Sequence, residues 1–319
     1  MIPVKRSHWA MWLKQFVAAL VVLCLVWFVV RHWHSMCLLL NLSAINLVCL
    51  YLLYCLVALA TAWIGNSLLS ILGVRASLSE MFLLQNAVFL LNYTPMKYGS
   101  FFRANYLKKH HGLSFGRFGT LSLVTTFLVT IGSALSGILS LTFVYGWDSP
   151  QKVVLGLSLV AVFLVSMLVL FFPLPNLGGE GNLARLSTEF KTGRQLVQVQ
   201  PRALIECTLM SIATFVLTSL RLWMIFESLG QSIHPAGYLI LGAIGYAAMF
   251  LSLTPGGLGV REFLLGAVST VLGIPLETGI LAAMIDRGVV MTYAFLAGGT
   301  SLLILQRFSL FRPNVNSSQ

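Results

Sequence analysis

Of 319 residues, 58% are hydrophobic and only 9% charged, against roughly 45–50% apolar and about 25% charged in soluble domains. Too few charges remain to coat a water-soluble surface, which excludes an ordinary soluble enzyme, a disordered chain and a disulfide scaffold. The apolar runs are unbroken, which excludes an alternating transmembrane barrel. The net charge of +11, from 20 Lys and Arg against 9 Asp and Glu, reads as loop charge that orients a helical membrane protein rather than as a nucleic-acid surface.

A hydrocarbon core takes about 20 apolar residues per helix. The first expected span covers residues 16–30, extended back through 11–13. Lys5, Arg6 and Lys14 precede it, and Arg31-His32-Trp33-His34 stand where a signal peptide would carry a small-residue cleavage site; an uncleaved signal anchor follows. Further spans are expected over 44–64, 118–145, 153–172, 203–229 and 278–305. Two apolar runs are interrupted. Residues 81–91 end at Asn92-Tyr93-Thr94-Pro95, and residues 236–253 end at Thr254-Pro255-Gly256-Gly257. Residues 173–202 form a polar connector too small for a catalytic domain, and 313–319 a polar tail.

Most basic residues collect on one side if six segments cross fully. Lys5, Arg6, Lys14, Arg75, Lys97, Arg103, Lys108, Lys109 and Arg117 fall there, with the basic residues of the connector and Arg307 and Arg312. Arg31 and Lys152 alone fall in loops on the other side. The bias puts both termini in the cytoplasm and requires the two interrupted segments to enter and return on the same side.

The interrupted segments match each other. Thr94-Pro95-x-x-x-Gly99 aligns with Thr254-Pro255-x-x-x-Gly259, and Gly112 and Gly137 align with Gly273 and Gly298. Three full spans separate the two copies, so the copies face opposite sides of the bilayer. The expected fold is therefore an all-α polytopic membrane protein of about six full transmembrane helices plus two re-entrant hairpins. They are related as inverted repeats over about 44–145 and 203–305.

Candidate substrate-binding residues lie in and beside the breaks. Pro255 removes a backbone N–H, and Gly256, Gly257 and Gly259 let main chain approach a ligand closely. A helix restarting there would aim unpaired N–H groups at an anion. Arg261 adds a bidentate phosphate contact, and Glu262 either pairs with a base or accepts from an amine. An Arg261/Glu262 self-pair is the bland alternative. Asp286 and Arg287 lie inside the last span, where charge costs roughly 2.5–3.5 kcal/mol per residue; Glu262 or Asp286 is the expected partner of Arg287. In the first copy, Thr94, Pro95, Gly99 and Arg103 hold the corresponding places. Arg221 is expected to snorkel to an interface, and Lys108–His111 to supply orientation charge only. The five cysteines have no ligand spacing and read as small buried hydrophobes. No metal site, cofactor signature, nucleotide loop or hydrolase motif is present, so an enzyme is not expected.

The run Leu253-Thr254-Pro255-Gly256-Gly257-Leu258-Gly259-Val260-Arg261-Glu262, with Arg287 in the next span, resembles the lysylphosphatidylglycerol synthase transmembrane-region family, whose members are described as flippase-like. Asn92-Tyr93-Thr94-Pro95, Gly99 and Arg103 resemble it too, as does Arg221 before Glu227-Ser228-Leu229-Gly230. The resemblance implies a bacterial or archaeal inner membrane and movement of a lipid between leaflets. It does not imply aminoacyl-lipid synthesis, because the soluble transferase domain is lacking here. Many members carry a Glu-Arg pair where Thr125-Thr126 stand in this chain. The leading expectation is translocation of an anionic or phosphate-bearing lipid. The rival is a non-transporting scaffold for envelope lipid or polysaccharide synthesis. Membrane lipids are the expected partners; a homo-oligomer and an envelope-biosynthesis enzyme partner stay open.

Overall fold

The computed structural model describes residues 30, 42–94, 98–171, 188, 191–192, 195, 200–251 and 260–311. The expected signal anchor, most of the connector, the tail, Pro95, and Thr254 through Gly259 lie outside the described residues. Within them every regular element is helical. In chain order these are α1 (Ala44–Ile71), α2 (Leu78–Leu91), α3 (Tyr98–His111), α4 (Phe115–Ser140) and α5 (Pro150–Phe171). After the connector come α6 (Pro201–Ser228), α7 (Pro235–Leu251), α8 (Val260–Val271), α9 (Leu276–Tyr293) and α10 (Gly299–Phe311). A π-turn, Leu141–Tyr145, continues α4, and a second, Ala294–Gly298, joins α9 to α10. The last span is thus one long rod with a π-turn inside it, not the plain helix expected.

Five of these rods are long and apolar enough to cross a bilayer, with mean hydropathy between 1.8 and 2.9. They are α1, α4 with its π-turn, α5, α6, and α9 continued into α10. Their apolar residues are spread around the whole surface. Leu52, Leu157, Leu209 and Leu303 are more than half exposed, as expected of helices whose solvent is lipid. Helices α2 and α3 have 14 residues each, and α8 has 12. At 1.5 Å per residue these reach only about 18–21 Å, short of the ~30 Å hydrocarbon core.

Local chemistry fixes the ends. Ser43, Ser77, Ser114 and Ser149 each accept an N-terminal backbone N–H, from Asn46, Glu80, Arg117 and Lys152 respectively. Gly73, Gly112, Gly230 and Gly273 take positive φ of 67–86°. Each lets the following residue bond back to a carbonyl of the finished helix: Val74 N–H to Leu69, Leu113 to Leu107, Gln231 to Phe226 and Ile274 to Ser269. A Cβ in the left-handed region would be strained at all four.

Among the described residues the two halves share one order: long helix, positive-φ glycine, short apolar helix, second short helix, positive-φ glycine, long helix with a π-turn. Their contacts follow the same exchange. α1 lies along α6. α2 packs against the second π-turn and α10, and α7 packs against α4. Two apolar cores pack the short helices against the long ones. One gathers Ile64, Leu68, Leu84, Leu107 and Leu121; the other gathers Phe215, Phe226, Ile240, Leu241 and Ile285.

The first hairpin returns to the end from which it starts. Gly99 sits where a Cβ would fall 2.5 Å from the Val88 carbonyl and from Asn92 Oδ1, so the start of α3 presses onto the end of α2. At the other end the Tyr106 hydroxyl donates to Glu80 Oε1 at 2.9 Å, and His111 Nε2 lies 3.0 Å from the same oxygen. Lys108–His111 are therefore more than orientation charge, because His111 ties the hairpin shut.

Candidate functional site

The polar centre of the molecule is built from α6, α8 and α9. Asp286 is fully buried. Arg221 donates from Nε to Asp286 Oδ1 at 2.5 Å and from Nη2 to Oδ2 at 3.3 Å. Arg261 donates from Nη2 to Asp286 Oδ2 at 2.6 Å. Beside this trio, Arg287 Nη1 donates to Glu262 Oε1. The pairing is crossed: Arg261 reaches Asp286 and Glu262 reaches Arg287, so the adjacent Arg261/Glu262 self-pair does not form. Three guanidinium groups face two carboxylates, which leaves one positive charge uncompensated among the described residues of the cluster.

Arg221 corrects the sequence reading. It is only 3% exposed and ion-paired in the interior, not extended to an interface. The first half contributes aromatic cover. The Tyr54 ring lies 4.8 Å from the Arg221 guanidinium carbon and meets Tyr293 edge-on at 4.7 Å. The Tyr293 hydroxyl donates to Asn86 Oδ1 at 3.1 Å, and Tyr51 and Thr292 hydroxyls lie 2.6 Å apart. Such a cluster is stable only because its members compensate one another. Removing one partner of a buried pair typically costs about 3–5 kcal/mol.

The remaining predicted residues are distributed as follows. Arg261, Glu262, Asp286 and Arg287 are brought together. Arg103 is not among them. Its Nη1 donates to Gln85 Oε1 at 3.0 Å, and its Nη2 lies against Gly65, where a Cβ would fall 2.5 Å away. Gly65 stands about 16 Å along α1 from Tyr54 at the usual helical rise, so Arg103 occupies a separate level of the molecule. Thr94 is buried and donates its hydroxyl to the Leu91 carbonyl at 2.6 Å, which closes the turn leaving α2. Gly99 packs the hairpin as described. Thr125 and Thr126 donate back to Leu121 and Ser122 carbonyls in α4, so the first half has no charged pair matching Asp286-Arg287.

Two open clefts among the described residues lie elsewhere. One of about 190 Å³ is lined by Phe102, Tyr106, Lys109, His110 and Leu305. Another of about 250 Å³ is lined by Asn46, Trp223 and Glu227. Among the described residues no three histidine, cysteine or carboxylate side chains converge as metal ligands would. The arrangement is a buried ionic cluster of three guanidinium groups and two carboxylates.

No curated protein and no solved structure matches the chain. The family model described as the lysylphosphatidylglycerol synthase TM region matches residues 15–298. With five bilayer-length apolar helices and this match over most of its length, the chain is a multi-pass membrane protein of lipid-related function, and it belongs to the lysylphosphatidylglycerol synthase transmembrane-region family.

Proposed function

We propose that the protein moves an anionic, phosphate-bearing lipid between the leaflets of a bacterial or archaeal inner membrane. The observation that carries this reading is the buried cluster with surplus positive charge. Asp286 lies about 15 Å along the last rod from Leu276, and Tyr54 about 15 Å along α1 from Ala44, by helical rise. That is half the usual hydrocarbon thickness. Charge at such depth in a membrane protein ordinarily pairs or serves a polar substrate.

The repeated helix order, with three bilayer-length rods between the two hairpins, supports opposite orientation of the halves and access from alternate sides. Charge distribution supports an orientation with both termini cytoplasmic. Arg75, Lys108, Lys109, Arg117, Arg202 and Arg307 all belong to the end where α1 finishes and α4 begins, whereas the opposite loop carries Lys152. No nucleotide-binding loop occurs in the sequence, so transport runs downhill or with an ion.

The test is exchange of fluorescent phosphatidylglycerol between leaflets of proteoliposomes, read by quenching of the outer-leaflet label. Wild-type protein is expected to expose the inner-leaflet pool, whereas Arg261→Ala and Arg287→Ala slow this at least tenfold. Exchange at the wild-type rate in both variants, at equal reconstitution, would remove the cluster from the mechanism.

A further inference from the structure

The Arg221 guanidinium is only half used. It presents five N–H donors in one plane. The edge formed by Nε and Nη2 grips Asp286. Nη1 is buried and has no acceptor among the described residues. Tyr54 covers a face of the group, and on the outer edge Nη1 lacks a hydrogen-bond acceptor among the described residues. A buried charged donor without an acceptor is costly, more so where water is scarce.

We propose that this outer edge, carrying Nη1, is a seat for an oxyanion, and that Arg221 therefore contacts the ligand directly. Asp286 is the positioning residue. It fixes the plane of Arg221 and holds Arg261 beside it through a shared oxygen. Two parallel N–H donors on a planar edge match two oxygens of a phosphate. Charge narrows the class. Arg221, Arg261 and Asp286 together carry one net positive charge, and the Glu262–Arg287 pair is neutral. A phosphodiester, with a single negative charge, balances the trio, whereas a phosphomonoester near neutral pH brings about −1.5 to −2. Arg261 is the most open member, with its side chain 21% exposed against 4% for Arg221, and it offers the side of approach. Both a lipid headgroup and a free anion carry this chemistry; assigning the lipid rests on the translocation reading above.

The experiment is calorimetric titration of the full chain in maltoside detergent, which carries no phosphate. The probes are dioctanoyl phosphatidylglycerol, dioctanoylglycerol and inorganic phosphate. The diester lipid is expected to bind and the uncharged diacylglycerol not to. Inorganic phosphate binding as well as the diester would assign the seat to a free anion; weaker binding assigns it to the lipid. Arg221→Lys keeps the charge and loses the planar edge, and is expected to weaken diester binding about tenfold. Asp286→Asn keeps the shape and removes the internal negative charge, and is expected to tighten it about fivefold. A purely structural Asp286 would leave affinity unchanged or reduced. Should Arg221→Lys fail to fold, Asp286→Asn decides. Wild-type affinity in Arg221→Lys, or no gain in Asp286→Asn, overturns the seat. Binding needs no translocation: Arg221-dependent affinity without leaflet exchange would keep this inference and refute the transport reading, and exchange without it would do the reverse.

Discussion

Gly298 offers the sharpest test of how the two halves fit. A Cβ there would fall 2.7 Å from the Asn86 backbone oxygen and 2.7 Å from Leu90 Cβ, both on α2. Ordinary contact begins near 3.4 Å. Gly298→Ala therefore forces α2 away by roughly 0.7 Å, and neither contact is the loose end of a flexible side chain. Overpacking of this kind costs about 1–3 kcal/mol. The shift also stretches the 3.1 Å bond from Tyr293 to Asn86, worth about 1 kcal/mol when intact. A loss of about 2–4 kcal/mol follows. The neighbouring Gly299 supplies the control, because a Cβ there meets nothing within 4 Å. Gly299→Ala should be neutral or gain a few tenths of a kcal/mol from helix propensity. Reversible unfolding in mixed micelles, followed by circular dichroism, measures both. Equal stability of Gly298→Ala and wild type, or equal damage from the two alanines, would refute the packing argument.

Asp286→Ala leaves the buried Arg221 and the half-buried Arg261 without their shared carboxylate; it should cost about 3–5 kcal/mol in the same unfolding assay, whereas Asp286→Asn should cost visibly less. Glu80→Gln weakens the clasp to Tyr106 and His111, and hydrogen exchange should show faster opening of the α2–α3 hairpin with little change in α6. Gly99→Ala drives a Cβ to 2.5 Å from the Val88 carbonyl; a loss of about 1–3 kcal/mol is expected, with accelerated exchange confined to the same hairpin.

The bilayer-length rods were legible because hydropathy over 20 residues is a one-dimensional signal and lipid imposes it strongly. The first hairpin was legible from the short apolar run that ends at Asn92-Tyr93-Thr94, whereas Pro95 and the glycines after Pro255 lie outside the described residues. The crossed pairing of residues 261 and 262 with 286 and 287 was half legible. The residue types declared themselves, but which acid meets which base depends on the phase of α8 against α9. Arg221 was misread because its partner is 65 positions away, and only the packing of α6 on α9 joins them. Glu80 and His111, 31 positions apart, were missed for the same reason. A basic run beside a membrane segment is ordinarily solvated, and nothing local shows that one of its histidines folds back. A buried arginine inside an apolar run, with an aspartate in another such run, was the signal that could have found the first pair.

The helix order is duplicated, yet the charges are not. All five ionic groups of the centre belong to α6, α8 and α9, while α1 offers Tyr54 beside them and α4 carries Thr125 and Thr126 in place of a charged pair. Fixed charge is thus shared unevenly between the two halves: the second gathers its ionic groups in one net-positive cluster, whereas the first holds Arg103 apart, at another level. A voltage across the membrane would pull on the two unequally, at about 2.3 kcal/mol per elementary charge per 100 mV, so any rocking of the second half against the first is work done by, or against, the field.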